Sequence, residues 1–224
     1  MTTNFFRQRL WQFGACLLLL VPLGQLEAHA GDKLLVLGDS ISAAYGMDES
    51  RGWVQLLRER LEEHGREVDV INASVSGETS AGGLARLPRL LEEHRPDWLI
   101  VELGGNDGLR GYPPPALQKN LQRMVQLARE EGAGVLLLGM RMPPNYGAAY
   151  TDAFAAVYPR VARAEQVPLV PFFLEPVALQ EDGMQTDGIH PSAAAQPALL
   201  DHVWPCVRLL IEDETDGSEK LCKP

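Results

Sequence analysis

Between residues 33 and 211 the chain alternates short apolar runs with longer amphipathic ones. The apolar runs cover 33–37, 68–72, 98–103, 135–140 and 167–172, mostly without a polar residue at every second position. Strands with that pattern are buried on both faces, as in a parallel sheet. Helices are predicted between them at 52–64, 81–94, 115–131 and 148–165. In the first, Trp53, Leu56, Leu57 and Leu61 recur at helical spacing, while Arg58, Glu59, Glu62 and Glu63 form a solvated face. A last helix is predicted to start near Pro191 and to turn Leu199, Leu200, Val203, Val207 and Leu210 inward. Strands alternating with helices indicate βαβ units. The handedness of parallel crossovers makes a doubly wound α/β/α sandwich with five strands the simplest topology. Ligands of such folds sit beyond the carboxyl ends of the strands.

The ends of the chain read differently. Arg7 and Arg9 precede an apolar run over 15–23 that leads to Ala28-His29-Ala30, the pattern of a secretory signal cut after Ala30. A membrane span needs about 20 uninterrupted apolar residues, and Pro22, Gly24, Gln25 and Glu27 end this run early. Cys16 lies at the start of the apolar run instead of following it, which argues against lipidation. The expected organisation is a signal peptide over 1–30, one folded domain over 31–211 and a polar tail over 212–224. The expected location is the periplasm or the exterior, with no stable membrane anchor.

Of 224 residues, 46% are hydrophobic and 22% charged, as in an ordinary globular protein. Cleavage after Ala30 removes two basic residues and one acidic one, leaving 18 Lys and Arg against 29 Asp and Glu, a net charge of −11. Nucleic-acid affinity rests on Lys and Arg neutralising phosphates, so a polyanion partner is excluded. Cys206 and Cys222 would survive cleavage into an oxidising compartment, where a bridge and two free thiols are equally open. A monomer is the default assembly.

The candidate chemistry lies where strands end. The first strand runs into Gly38-Asp39-Ser40, which exposes a serine hydroxyl beside a glycine able to turn tightly. Gly-Asp-Ser is also ordinary turn chemistry. A serine attacks a carbonyl only if a base takes its proton, and imidazole is the usual base at neutral pH. His29 leaves with the signal, His64 and His94 fall in the last turns of helices, and His202 falls inside the last helix. His190 differs, lying in Thr186-Asp187-Gly188-Ile189-His190-Pro191. There Asp187 can fold back to one ring nitrogen and leave the other facing Ser40, or it can merely stabilise a turn before Pro191. Donors for the oxyanion are available from Gly77, in the loop after the second strand, and from the Asn106 amide, in Gly104-Gly105-Asn106-Asp107-Gly108 after the third. Each alone reads as a flexible turn. Together they place a nucleophile, a base with its orienter and two donors on one predicted face, which is a serine hydrolase site.

At these residues the chain resembles the SGNH, or GDSL-type, hydrolase family. Ser40, Gly77, Asn106 and His190 supply its four letters. Gly38-Asp39-Ser40, Gly104-Gly105-Asn106-Asp107 and Asp187-Gly188-Ile189-His190-Pro191 match its blocks. The similarity runs from about residue 33 to 203. Residues 101–111 and 144–147 are similar to the family's periplasmic thioesterase, lysophospholipase and arylesterase members. The resemblance implies a flavodoxin-like sandwich and broad activity on acyl thioesters, aryl esters and lysophospholipids. It further implies an oxyanion hole from the Ser40 and Gly77 N–H groups with the Asn106 amide, and neither a metal nor an organic cofactor. No G-x-S-x-G occurs in the sequence, so the nucleophile elbow of the α/β-hydrolases is excluded. Leu109, Tyr112, Met142 and Tyr146, in loops after the third and fourth strands, are candidate walls for an acyl chain. Two rival readings are a carbohydrate or peptidoglycan O-deacetylase with the same triad, and an acyl carrier that keeps the pocket without the reaction.

Overall fold

The computed structural model describes Met1 and residues 32–212. The expected signal peptide with its cleavage at Ala30, the tail beyond Glu212 and Cys222 with its potential bridge to Cys206 lie outside the described residues.

Five strands, β1 (Lys33–Gly38), β2 (Asp69–Asn72), β3 (Trp98–Glu102), β4 (Gly134–Leu138) and β5 (Leu169–Val170), form one sheet in the order β2-β1-β3-β4-β5. Every pairing is parallel. The unbroken apolar run of β1 is explained by its place inside the sheet, with Leu34, Leu35, Val36 and Leu37 fully buried. The helices are α1 (Trp53–Glu63), α2 (Ser80–His94), α3 (Gly105–Leu109), α4 (Pro114–Glu130), α5 (Ala148–Ala155), α6 (Val157–Glu165) and α7 (Gln196–Ile211). They fall into two groups that each touch the sheet, α1 with α7, and α2 with α4 and α6. This is the expected α/β/α sandwich with flavodoxin-like strand order. Such an order reverses direction between β1 and β3, and the crevice at their carboxyl ends is where a ligand fits.

Four expectations need correction. The fifth strand keeps only Leu169 and Val170 of the predicted 167–172, because Pro168 and Pro171 on either side carry no N–H for a ladder. The helix predicted over 148–165 breaks at Ala156 into α5 and α6. Pro159 cannot donate to the carbonyl of Ala155, and the break puts it in the first turn of α6, where no donor is needed. The last helix begins at Gln196, not near Pro191. Pro191 instead pairs with Met184 in an isolated antiparallel bridge. Buried Gln196 marks the true start, accepting from Trp53 N at 2.9 Å and donating to Ser192 O at 3.2 Å. Finally, residues 105–109 form α3 where only a turn was expected.

Candidate active site

Ser40 opens a tight turn after β1, in which Ala43 N donates to Asp39 O at 3.0 Å and Tyr45 N to Ser40 O at 3.0 Å. Gly38 is required here, since a Cβ on it would stand 2.7 Å from Ser42 Cβ and 2.8 Å from Glu102 Oε2. The hydroxyl of Ser40 reaches His190 Nε2 at 2.8 Å, and His190 Nδ1 reaches Asp187 Oδ2 at 2.6 Å. A carboxylate only accepts, so the Nδ1 proton points at Asp187 and Nε2 is left to accept from Ser40. The second oxygen of Asp187 accepts from Ile189 N at 2.9 Å and His190 N at 3.0 Å. These bonds, first the one from the imidazole, hold the Asp187 carboxyl down at about 2. Three groups separated by up to 150 residues thus form one hydrogen-bonded chain from hydroxyl to carboxylate.

Asn106 enters from the first turn of α3. Its Nδ2 donates to Asp39 Oδ2 at 3.1 Å, which fixes the amide beside the turn of Ser40 and leaves its second N–H for another acceptor. The next residue, buried Asp107, accepts from Ser80 Oγ at 2.6 Å and Ser80 N at 2.8 Å, locking α3 to the start of α2. Gly77 adopts φ +80°, a left-handed conformation that suits glycine. Its loop is tied on both sides, by Val75 N donating to Gly38 O at 3.1 Å and Arg110 Nη2 donating to Gly77 O at 3.0 Å. Among the described residues the N–H groups of Ser40 and Gly77 have no hydrogen-bond partner.

The four candidate wall residues also gather. Tyr146 donates its hydroxyl to Leu109 O at 3.1 Å, and Met142 packs so closely on Gly108 that a Cβ there would come within 2.2 Å of its sulfur. Tyr150, which the sequence did not single out, completes this side by donating to Tyr112 O at 2.8 Å and Gly108 O at 3.4 Å. Among the described residues no group of three or more His, Cys, Asp or Glu side chains could hold a metal ion.

Beneath the turn of Ser40 lies a buried pair of carboxyl groups that no periodicity in the sequence points to. Glu102, facing Gly38 across the β1–β3 register, is fully buried. Its Oε2 accepts from Ser42 Oγ at 2.7 Å and Asp39 N at 3.2 Å, while Oε1 has no partner among the described residues. The Asp39 carboxyl shares this buried space, its Oδ1 accepting from Ile41 N at 3.0 Å and its Oδ2 from Asn106 Nδ2. Burial raises Asp39 to about 6, and burial followed by the charge of Asp39 raises Glu102 well above the carboxylate range. Acids raised on folding add stability that is fully present below their ordinary values and lost as pH rises from there through the folded-state values, for Asp39 between 3.8 and about 6 and for Glu102 from 4.5 upward. Glu102→Gln keeps an acceptor for Ser42 and offers Asp39 a donor. We expect the melting temperature of this variant to gain on the parent as pH rises from 5 to 8. Parallel melting curves across that range would show that the two carboxyl groups do not repel.

The sequence pattern of the GDSL-like Lipase/Acylhydrolase family matches residues 36–197. Esterase TesA of Pseudomonas aeruginosa is 57% identical over 196 residues, covering 88% of this chain and 96% of that protein. The thioesterase 1/protease 1/lysophospholipase L1 of Escherichia coli strain K12 is 46% identical over 198 residues, covering 88% of this chain and 91% of that protein. The crystal structure of the psychrotrophic esterase EstA from Pseudoalteromonas sp., inhibited by monoethylphosphonate, matches with a TM-score of 0.77 at 38% identity. It covers 81% of this chain and 99% of that one.

Proposed function

We propose, from the premise that this chain belongs to the GDSL-like lipase/acylhydrolase family, that it is a serine esterase and thioesterase working through an acyl-enzyme on Ser40. The observation that carries the proposal is the hydrogen-bonded chain Ser40–His190–Asp187 at 2.8 and 2.6 Å. His190 Nε2 takes the hydroxyl proton as Ser40 Oγ bonds to the acyl carbon. Asp187 orients the imidazole and stabilises its cationic form. The negative oxygen that develops is held by the Ser40 and Gly77 N–H groups and the Asn106 amide. Collapse breaks the bond to the leaving alcohol or thiol, which receives the proton from His190. Water, activated by the same imidazole, then releases the carboxylic acid.

The acyl chain lies along Leu109, Tyr112, Met142 and Tyr146, and no metal or cofactor takes part. The substrate range follows the relatives, an esterase and a thioesterase that is also a lysophospholipase. Residues 1–30 direct export, so the mature enzyme acts as a monomer in the periplasm or outside the cell. Arg7, Arg9, the apolar run over 15–23 and Ala28-His29-Ala30 support this. No helix among the described residues is long and apolar enough to cross a membrane.

The test is an activity panel on purified protein starting at Gly31, spanning acyl-CoA thioesters, p-nitrophenyl esters, lysophosphatidylcholine and acetylated sugars. The expected profile is turnover of medium and long acyl thioesters and esters well above acetyl-sugar. A profile led by acetyl-sugar would assign the triad to a deacetylase instead.

A further inference from the structure

The hydrogen bond between Ser40 and His190 joins two loops from opposite ends of the chain, and the same two loops are joined a second time by Gln185. Its Nε2 carries two hydrogens. One goes to Tyr45 O at 2.8 Å, in the turn that Ser40 begins, and the other to Pro191 O at 3.0 Å, in the residue after the base. Its own backbone N–H donates to His190 O at 2.7 Å, and its carbonyl accepts from Gly188 N at 2.9 Å. The hairpin carrying His190 is closed further by Ser192 N donating to Gly183 O at 2.9 Å and by the bridge between Met184 and Pro191.

The nucleophile turn is shaped to meet this amide. Buried Ala44 adopts φ +54°, a conformation that side-chain-bearing residues rarely take without enforcement, and Gly46 follows at φ +76°. A Cβ on Gly46 would come within 2.4 Å of Gln185 Oε1, so that glycine makes room for the carboxamide. Between them Tyr45 presents its carbonyl to Gln185 and its ring to the imidazole of His190, centroids 4.5 Å apart and planes tilted by 36°.

We propose that Gln185 is a positioning residue, a clamp whose carboxamide fastens the turn of Ser40 to the segment of His190 and so sets the distance across which the proton passes. It touches neither substrate nor reacting atoms and acts through both partners of the catalytic hydrogen bond. The proposal rests on Ser40 and His190 acting as nucleophile and base. A nucleophile and base displaced by about 1 Å lose on the order of 10²-fold in rate. Among the described residues, without the bond to Tyr45 O the two loops share, beside the ring contact of Tyr45 with His190, only the hydrogen bond they must break and remake on each turnover.

The experiment compares the parent protein with Gln185→Met, which keeps length and loses both donors, and Gln185→Glu, which keeps shape and faces both carbonyls with acceptors. For each, kcat and KM on a soluble p-nitrophenyl ester, the rate of Ser40 labelling by a fluorophosphonate and the melting temperature are measured. The expected result is a fall in kcat of about 10- to 100-fold, a KM within threefold, and a labelling rate that falls with kcat at a nearly constant melting temperature. Variants that stay within twofold of the parent in kcat and labelling, whatever their melting temperature, overturn the clamp. A parent protein whose Ser40 is not labelled at all overturns the nucleophile reading instead. Should neither variant fold, the parent alone decides by NMR. Both Nε2 protons of Gln185 should exchange slowly with solvent and shift when Ser40 is phosphonylated, and rapid exchange of either one overturns the proposal.

Discussion

Ser40→Ala is expected to lower kcat on p-nitrophenyl esters by about 10⁴- to 10⁶-fold, the range found when a serine nucleophile is removed from a triad. Nothing else near the turn can take its place. Ser42, two residues on, is buried and its hydroxyl already donates to Glu102 and accepts from Trp53 Nε1 at 3.2 Å. The fold should not register the change. Ser40 is half-buried, its hydroxyl bonds only His190 among the described residues, and the turn is held by main-chain bonds that alanine keeps. The measurement is therefore a pair, the steady-state rate and the melting temperature. Activity within tenfold of the parent at an unchanged melting temperature would remove Ser40 from the mechanism.

Asp187→Asn is the second large loss expected, about 10³- to 10⁴-fold in kcat. The reason is the direction of one hydrogen bond. An asparagine can keep its carbonyl oxygen on the N–H groups of Ile189 and His190, as Asp187 Oδ1 does now. Its NH₂ then faces Nδ1 of the imidazole, which must give up its proton to accept. The proton moves to Nε2, and the ring confronts Ser40 with a donor where an acceptor is needed. The pH dependence follows with its sign. A carboxyl held at about 2 stays ionised throughout the range in which esterase activity is measured, so Asp187 does not set the acid limb of the rate. Its depressed value contributes stability that is present above the ordinary carboxylate value and lost as pH falls toward 2. The variant should lack that loss, so its melting curve against pH should be flatter than the parent's below pH 4. A variant with parental kcat would show that the imidazole finds its orientation elsewhere.

What the sequence revealed and what it hid divide along the reach of the interactions. The strands of the sheet centre are legible because an unbroken apolar run such as that of β1 states its own burial. The triad is legible because His190, alone among five histidines, has an acidic residue at a spacing that folds back on it. Lengths of elements were harder, and prolines decided them. Pro159 splits a helix that looks continuous by periodicity, and Pro168 with Pro171 trims β5 to two residues. Pro191 misled in the other direction, since a proline suited to start a helix was already engaged by its carbonyl and its bridge. The roles of Asp39, Glu102 and Gln185 stayed hidden because Asp39 and Glu102 meet across 63 residues and Gln185 meets Tyr45 across 140. Glu102 alone left a trace, a carboxylate closing an otherwise apolar run, which a buried strand end does not tolerate without a reason.

The separation of Ser40 from His190 has a consequence for the order in which this protein becomes competent. Synthesis delivers the nucleophile among the first residues of the folded part and the imidazole near its end. All five strands are complete by Val170, before residues 183–192 have been added. A chain ending there contains the residues of every strand and Ser40 but neither Asp187 nor His190. Gln196 on Trp53 then seats the last helix against the first. The hydrogen-bonded chain from hydroxyl to carboxylate therefore closes only when the polypeptide is nearly whole.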